Sequence, residues 1–107
     1  MELTIELRAK PEKTQELYQA LQALLPTIRA EQGCRDCRVC RDIEDAEVFT
    51  LAVEWEKVEN LENYVHSGGC SALIGAVELL SKAARIRFGQ DTPWAGIDSL
   101  KRMREKR

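Results

Sequence analysis

Between Glu47 and Glu56, large apolar residues fall on every second position: Phe49, Leu51, Val53 and Trp55. Val48, Thr50, Ala52 and Glu54 fill the gaps. A period of two puts the large set on one face of a pleated strand and the smaller, partly polar set on the other. One face therefore packs on helices, and the other needs a less oily cover. With 107 residues there is room for one core and no second. A domain of this size buries only about two-thirds of its unfolded surface, so covering a leftover sheet face by dimerising would help it.

The same alternation appears in Glu2–Arg8, with Leu3, Ile5 and Leu7 on one face and Thr4, Glu6 and Arg8 on the other. Pro11 suits the first turn of a following helix, and Glu12 favours its positive end. Leu17, Leu21, Leu24, Leu25 and Ile28 then recur at helical spacing to about Glu31. Pro26 should bend or shorten that helix near Ala23–Leu25, and Gly33 is a good stop. Arg35–Ile43 reads as a second strand, joined through the acidic loop Glu44–Glu47 to the strand that carries Phe49.

Lys57 opens the next helical stretch, with Val58, Leu61 and Val65 as its inward stripe. Ser67-Gly68-Gly69 interrupts it, and Cys70, Leu73, Val77 and Leu80 resume a stripe. Ala84–Phe88 is a last short strand, with Arg85 and Arg87 facing away from Ile86 and Phe88. Gln90–Pro93 links to a possible final helix over Trp94–Met103, with a basic, frayed end from Lys101.

The order strand, helix, strand, strand, helix, strand is the ferredoxin-like βαββαβ pattern. The expected fold is α+β, an antiparallel sheet with both helices on one face and a C-terminal helical tail. Residues 1–89 form the domain and 90–107 the tail. The open face collects Thr4, Glu6, Arg8, Thr50, Ala52, Glu54, Arg85 and Arg87, with Glu6 and Arg8 beside the two arginines. Two copies packing these faces would give a two-fold homodimer.

The formal net charge of −2, with both signs interspersed, argues against a dedicated nucleic-acid binder. No apolar run approaches the roughly 20 residues that span a bilayer, and Met1–Arg8 lacks the apolar core of a signal peptide. A cytoplasmic protein with reduced cysteines is expected. Cys34, Cys37 and Cys40 form C-x-x-C-x-x-C, the spacing of a metal motif. In a regular strand, however, Cys34 and Cys40 point one way and Cys37 the other, so no metal site is expected. His66, the one histidine, falls by helical count on the side of Glu59 and Glu62, toward solvent. The same count puts Tyr64 at the edge of the inward stripe.

Four stretches, Leu7-Arg-Ala-Lys-Pro-Glu-Lys, Gln32-Gly33-Cys34, Phe49-Thr-Leu-Ala-Val-Glu-Trp55 and Leu61-Glu-Asn-Tyr64, resemble the antibiotic biosynthesis monooxygenase family. The resemblance implies a dimeric α+β barrel, and the family includes small quinol and anthrone oxygenases that use no cofactor. It implies that Trp55 lines a pocket between sheet and helices, and it places Tyr64 where many members carry a histidine. Trp55 and Tyr64 are thus the candidate catalytic residues, and Phe49, Leu51 and Val53 the candidate slot for a small aromatic substrate that reacts with O2. Heme-degrading relatives carry a histidine where Ile74 stands and an asparagine where Thr4 stands; both departures count against heme degradation. A non-catalytic or stress-related module that holds a small aromatic ligand is the alternative, with heme binding a weaker third.

Overall fold

The computed structural model describes residues 1–106; the last residue of the expected tail, Arg107, lies outside them. The chain runs β1 (Glu2–Ala9), α1 (Thr14–Arg29), β2 (Cys34–Arg41), β3 (Val48–Trp55), α2 (Val58–Val65), α3 (Gly68–Leu80), β4 (Ser81–Phe88), β5 (Ala95–Gly96) and α4 (Asp98–Glu105). The strands form one antiparallel sheet in the order β2-β3-β1-β4-β5. The first four are in the ferredoxin-like arrangement read from the sequence.

Alternation decides which way each strand faces. Leu3, Ile5 and Leu7 of β1 lie directly opposite Val53, Leu51 and Phe49 of β3. All six are buried, together with Ile86 of β4 and with Leu17, Leu21, Ile28, Leu61, Leu73 and Val77 from the helices. Burying a side chain of this size contributes about 1.5–3 kcal/mol, so a one-residue slip of β3, which would turn its whole set outward, is strongly disfavoured.

Several local expectations are corrected. The first helix starts at Thr14, not at Pro11, because Glu12 adopts φ +67 and the chain turns before helix can begin. Pro26 does not end α1, which continues to Arg29. Both Pro26 and Gln22, whose carbonyl loses its partner, are on the exposed side, and Ile28 beyond them is anchored in the core. In α2 the inward set is Leu61, Tyr64 and Val65, whereas Val58 is 46% exposed.

The tail also departs from a frayed end. Trp94 lies over the outer sheet face, its ring centroid 4.2 Å from the guanidinium carbon of Arg85 and 4.5 Å from that of Arg87. β5 then pairs with the free edge of β4, and α4 returns along α2 with Leu100 buried. The tail thus wraps the β4 edge from one face to the other. Glu6 meets Arg85 through two bonds of 3.0 and 3.2 Å, whereas Arg8 turns to Asp45 at 2.7 Å instead of the arginines of β4. Among the described residues no helix is long and apolar enough to cross a membrane.

Candidate functional site

Phe49, Leu51, Val53 and Trp55 leave β3 on its helix side, and Tyr64 meets them from α2. The strand's period of two places the first four. Tyr64 follows from the i, i+3, i+4 spacing of Leu61, Tyr64 and Val65, which makes one face of a short helix. The N-terminus of α2 is fixed by Asn60, whose side-chain oxygen accepts from the Lys57 backbone N–H at 3.1 Å. All five side chains are at most 1% exposed. They are not equivalent, because Trp55 and Tyr64 carry polar atoms into the core.

The Trp55 and Tyr64 ring centroids are 5.3 Å apart and their planes are tilted by 32°, within the centroid separation of interacting aromatic pairs. Among the described residues, neither Trp55 Nε1 nor the Tyr64 hydroxyl has a hydrogen-bond partner. A buried polar group left unpaired costs about 1–3 kcal/mol. Two such groups on adjacent, tilted rings are the most unusual polar feature of this core.

Three thiols surround the pair. A bulge at Arg35 lets Cys34 lie opposite Trp55 and Cys37 opposite Val53. Cys34 and Cys37 therefore face the core together, and only Cys40, opposite Thr50, points away. The expected alternation of the trio is corrected: the extra residue resets the phase between Cys34 and Asp36. Cys70, at the start of α3, is also buried. Burial pushes the Cys37 thiol up to about 11, with Cys34 adding to it, and burial likewise raises the thiols of Cys34 and Cys70. Burial raises the Tyr64 hydroxyl far above its ordinary range, followed by the effects of Cys70, Cys37, Glu31 and Cys34. The site therefore holds neutral donors at ordinary pH and no ready thiolate. Among the described residues, no three His, Cys, Asp or Glu side chains converge to hold a metal ion.

The family model for antibiotic biosynthesis monooxygenases matches residues 1–76. The chain belongs to the antibiotic biosynthesis monooxygenase family. Solved structures agree in fold. PA3566 from Pseudomonas aeruginosa is 24% identical, with a TM-score of 0.74 over 80% of this chain and 87% of that one. A Deinococcus radiodurans protein described as a candidate antibiotic biosynthesis monooxygenase is 22% identical, with a TM-score of 0.73 over 90% of this chain and all of that one. A further structure described as an antibiotic biosynthesis monooxygenase is 16% identical, with a TM-score of 0.75 over 86% of this chain and 98% of that one. No curated protein matches the chain. At these identities the likeness establishes a shared fold, and chemistry has to be argued from the site.

His66 also differs from the solvent-facing position that helical count gives it. His66 is half-buried at the C-terminal end of α2, its Nδ1 2.8 Å from the Glu62 carbonyl oxygen. With Glu62, Asn63, Met103 and Lys106 it lines a cavity of about 300 Å³ between α2 and α4. A smaller recess of about 140 Å³ lies by Glu6, Arg8, Val48, Ala83 and Arg85 at the sheet.

Proposed function

We propose that this family member is a cofactor-independent monooxygenase acting on a small aromatic quinol or anthrone-like substrate with O2. The observation that carries the reading is the pair of donors without a partner among the described residues, Trp55 Nε1 and the Tyr64 hydroxyl, on adjacent tilted rings in an apolar core. Once such a substrate loses a proton, it becomes electron-rich enough to give an electron to O2. One oxygen atom enters the substrate carbon and the other leaves as water, so the substrate itself supplies the electrons. The protein has to supply a dry slot, partners for the charge that develops on the substrate oxygen, and a route for the proton. Phe49, Leu51 and Val53 would form the slot. Trp55 and Tyr64 would hold the oxygen; burial keeps Tyr64 protonated and able to donate. Because all five are closed over, substrate entry requires α2 and α3 to move away from the sheet.

The working unit in this reading is a homodimer joined through the outer sheet face. Thr50 and Ala52 offer small, half-buried side chains there, and the recess beside Glu6 and Arg85 offers a place for a projecting residue of a twin. Sedimentation at micromolar concentration should give the dimer mass; a monomer would rule the dimer out. The chemistry is tested by oxygen uptake with a reduced quinol. Uptake should exceed the spontaneous rate and be lost in Trp55→Ala and Tyr64→Phe. A rate equal to the buffer control removes the enzyme reading.

A second reading, a non-catalytic holder of a small aromatic ligand, is favoured by the neutral groups around Tyr64, none of which is poised as a base. Ligand-induced thermal stabilisation without turnover would select it.

A further inference from the structure

The α2–α4 cavity lies apart from the Trp55–Tyr64 pair. Its α4 wall is held firmly. Leu100 is buried in the core, and Arg104 Nη1 donates to the Val65 and Ser67 carbonyls at 2.7 and 3.2 Å. These are carbonyls that the end of α2 leaves over, and a guanidinium is well suited to take them. The cavity is thus bounded by a helix end and a helix tethered to it.

His66 is the polar centre of that wall. A carbonyl can only accept, so the 2.8 Å contact with Glu62 requires Nδ1 to carry the proton. In the neutral ring Nε2 then presents a lone pair. Among the described residues, Nε2 is buried and has no partner. It shares the cavity wall with Met103 and Lys106, two unbranched side chains that can rotate aside without moving the backbone. Nε2 in this state needs a donor, not an anion, and the Glu62 carboxylate in the same wall also disfavours an anion. The Met103 thioether favours the edge of an aromatic ring. The volume of about 300 Å³ is at the small end for ligand pockets and suits one ring.

From this geometry we infer a second small-molecule site in the α2–α4 cavity, which takes a neutral phenol whose hydroxyl donates to His66 Nε2 and whose ring rests on Met103. The site is a binding site, and it stands whether or not the chain oxygenates a quinol at Trp55 and Tyr64.

The probe is 4-fluorophenol, with fluorobenzene as the control that lacks the donor. Because His66 is the chain's one histidine, a two-bond proton–nitrogen spectrum reports its ring without assignment. Titrating 4-fluorophenol should shift the Nε2 resonance saturably and leave Nδ1 nearly in place. Fluorobenzene should bind about two- to tenfold more weakly, the worth of one hydrogen bond. Fluorine line broadening should show about the same loss for 4-fluorophenol in His66→Phe, and a several-fold loss in Met103→Ala. The inference is overturned if Nε2 does not respond to 4-fluorophenol, if fluorobenzene moves it equally, or if folded His66→Phe binds as well as the parent. Should His66→Phe fail to fold, the comparison of the two probes on the parent protein decides alone.

Discussion

Replacing Tyr64 by phenylalanine deletes a single oxygen from the middle of the core. Where a buried tyrosine hydroxyl is hydrogen-bonded, that change costs about 1 kcal/mol. Tyr64 is 1% exposed and, among the described residues, its hydroxyl is unpartnered, so the sign reverses. The folded protein carries a desolvation penalty of about 1–3 kcal/mol for this atom, and phenylalanine keeps the ring packed on Trp55 without it. Tyr64→Phe should therefore be more stable, by about 1–2 kcal/mol after the loss of the oxygen's dispersion contacts. For a domain near this size each kcal/mol corresponds to a rise in Tm of roughly 4–8 °C. Urea unfolding at neutral pH should show a higher midpoint with an unchanged slope. Oxygen uptake with a quinol should move the other way, since losing one donor to a developing oxyanion typically costs about 10²–10³ in rate. A group kept at a cost to stability because the reaction needs it is a common trade. A Tyr64→Phe protein that is less stable by about 0.5 kcal/mol or more, the low end for a made hydrogen bond, would refute the reasoning, for the hydroxyl would then have had a partner.

Gly33 has φ +84, and a Cβ there would come 2.6 Å from Asn60 Cβ. Gly33→Ala should cost about 2–4 kcal/mol in chemical denaturation, from left-handed strain and from the disturbed start of α2. In an Asn60→Gly background, which removes the Cβ as well as the amide, only the strain, about 1–2 kcal/mol, should remain; equal costs in both backgrounds would contradict the clash. Cys37 is raised in the fold to about 11, so between its ordinary value near 9 and that value the folded state holds a proton that the unfolded state has lost. Stability should be full below pH 9 and fall as pH rises toward 11, by up to about 2.7 kcal/mol, and Cys37→Ala should flatten that decline; an unchanged slope would count against it. Arg104→Ala removes the donors to Val65, Ser67 and Ser71. It should raise amide exchange in α4 while leaving β1 and β3 protected, and uniform protection throughout would show that α4 is held without it.

The features that were legible in the sequence are those that depend on strict period. The alternation in β1 and β3, and the buried stripe Cys70, Leu73, Val77 and Leu80 in α3, place the sheet and its helix layer correctly. The bulge at Arg35 was not legible, because nothing in Cys34-Arg-Asp-Cys37 marks an extra residue, and one residue is enough to reverse a face. The helical count from Val58 also misled. Val58 is the first residue of α2, where the chain is still leaving the sheet, whereas Leu61, Tyr64 and Val65 set the true phase. His66 lies just beyond the last helical residue, so a rotation of 100° per residue no longer says where its ring goes. The i, i+3, i+4 spacing of Leu61, Tyr64 and Val65 is the signal in the sequence that places Tyr64 in the core.

The wrap of residues 94–105 around β4 has a consequence for how the chain behaves in company. An uncovered strand edge is a template on which further molecules can add, ending in fibres or precipitate. β5 occupies the β4 edge with only two residues, Ala95 and Gly96, too short to offer a long edge of its own. At the opposite border, β2 carries the bulge and the charges of Arg35, Asp36, Arg38 and Arg41. With both borders shortened, bent or charged, border-to-border addition of further molecules is disfavoured, and crowding should not draw the chain into fibres.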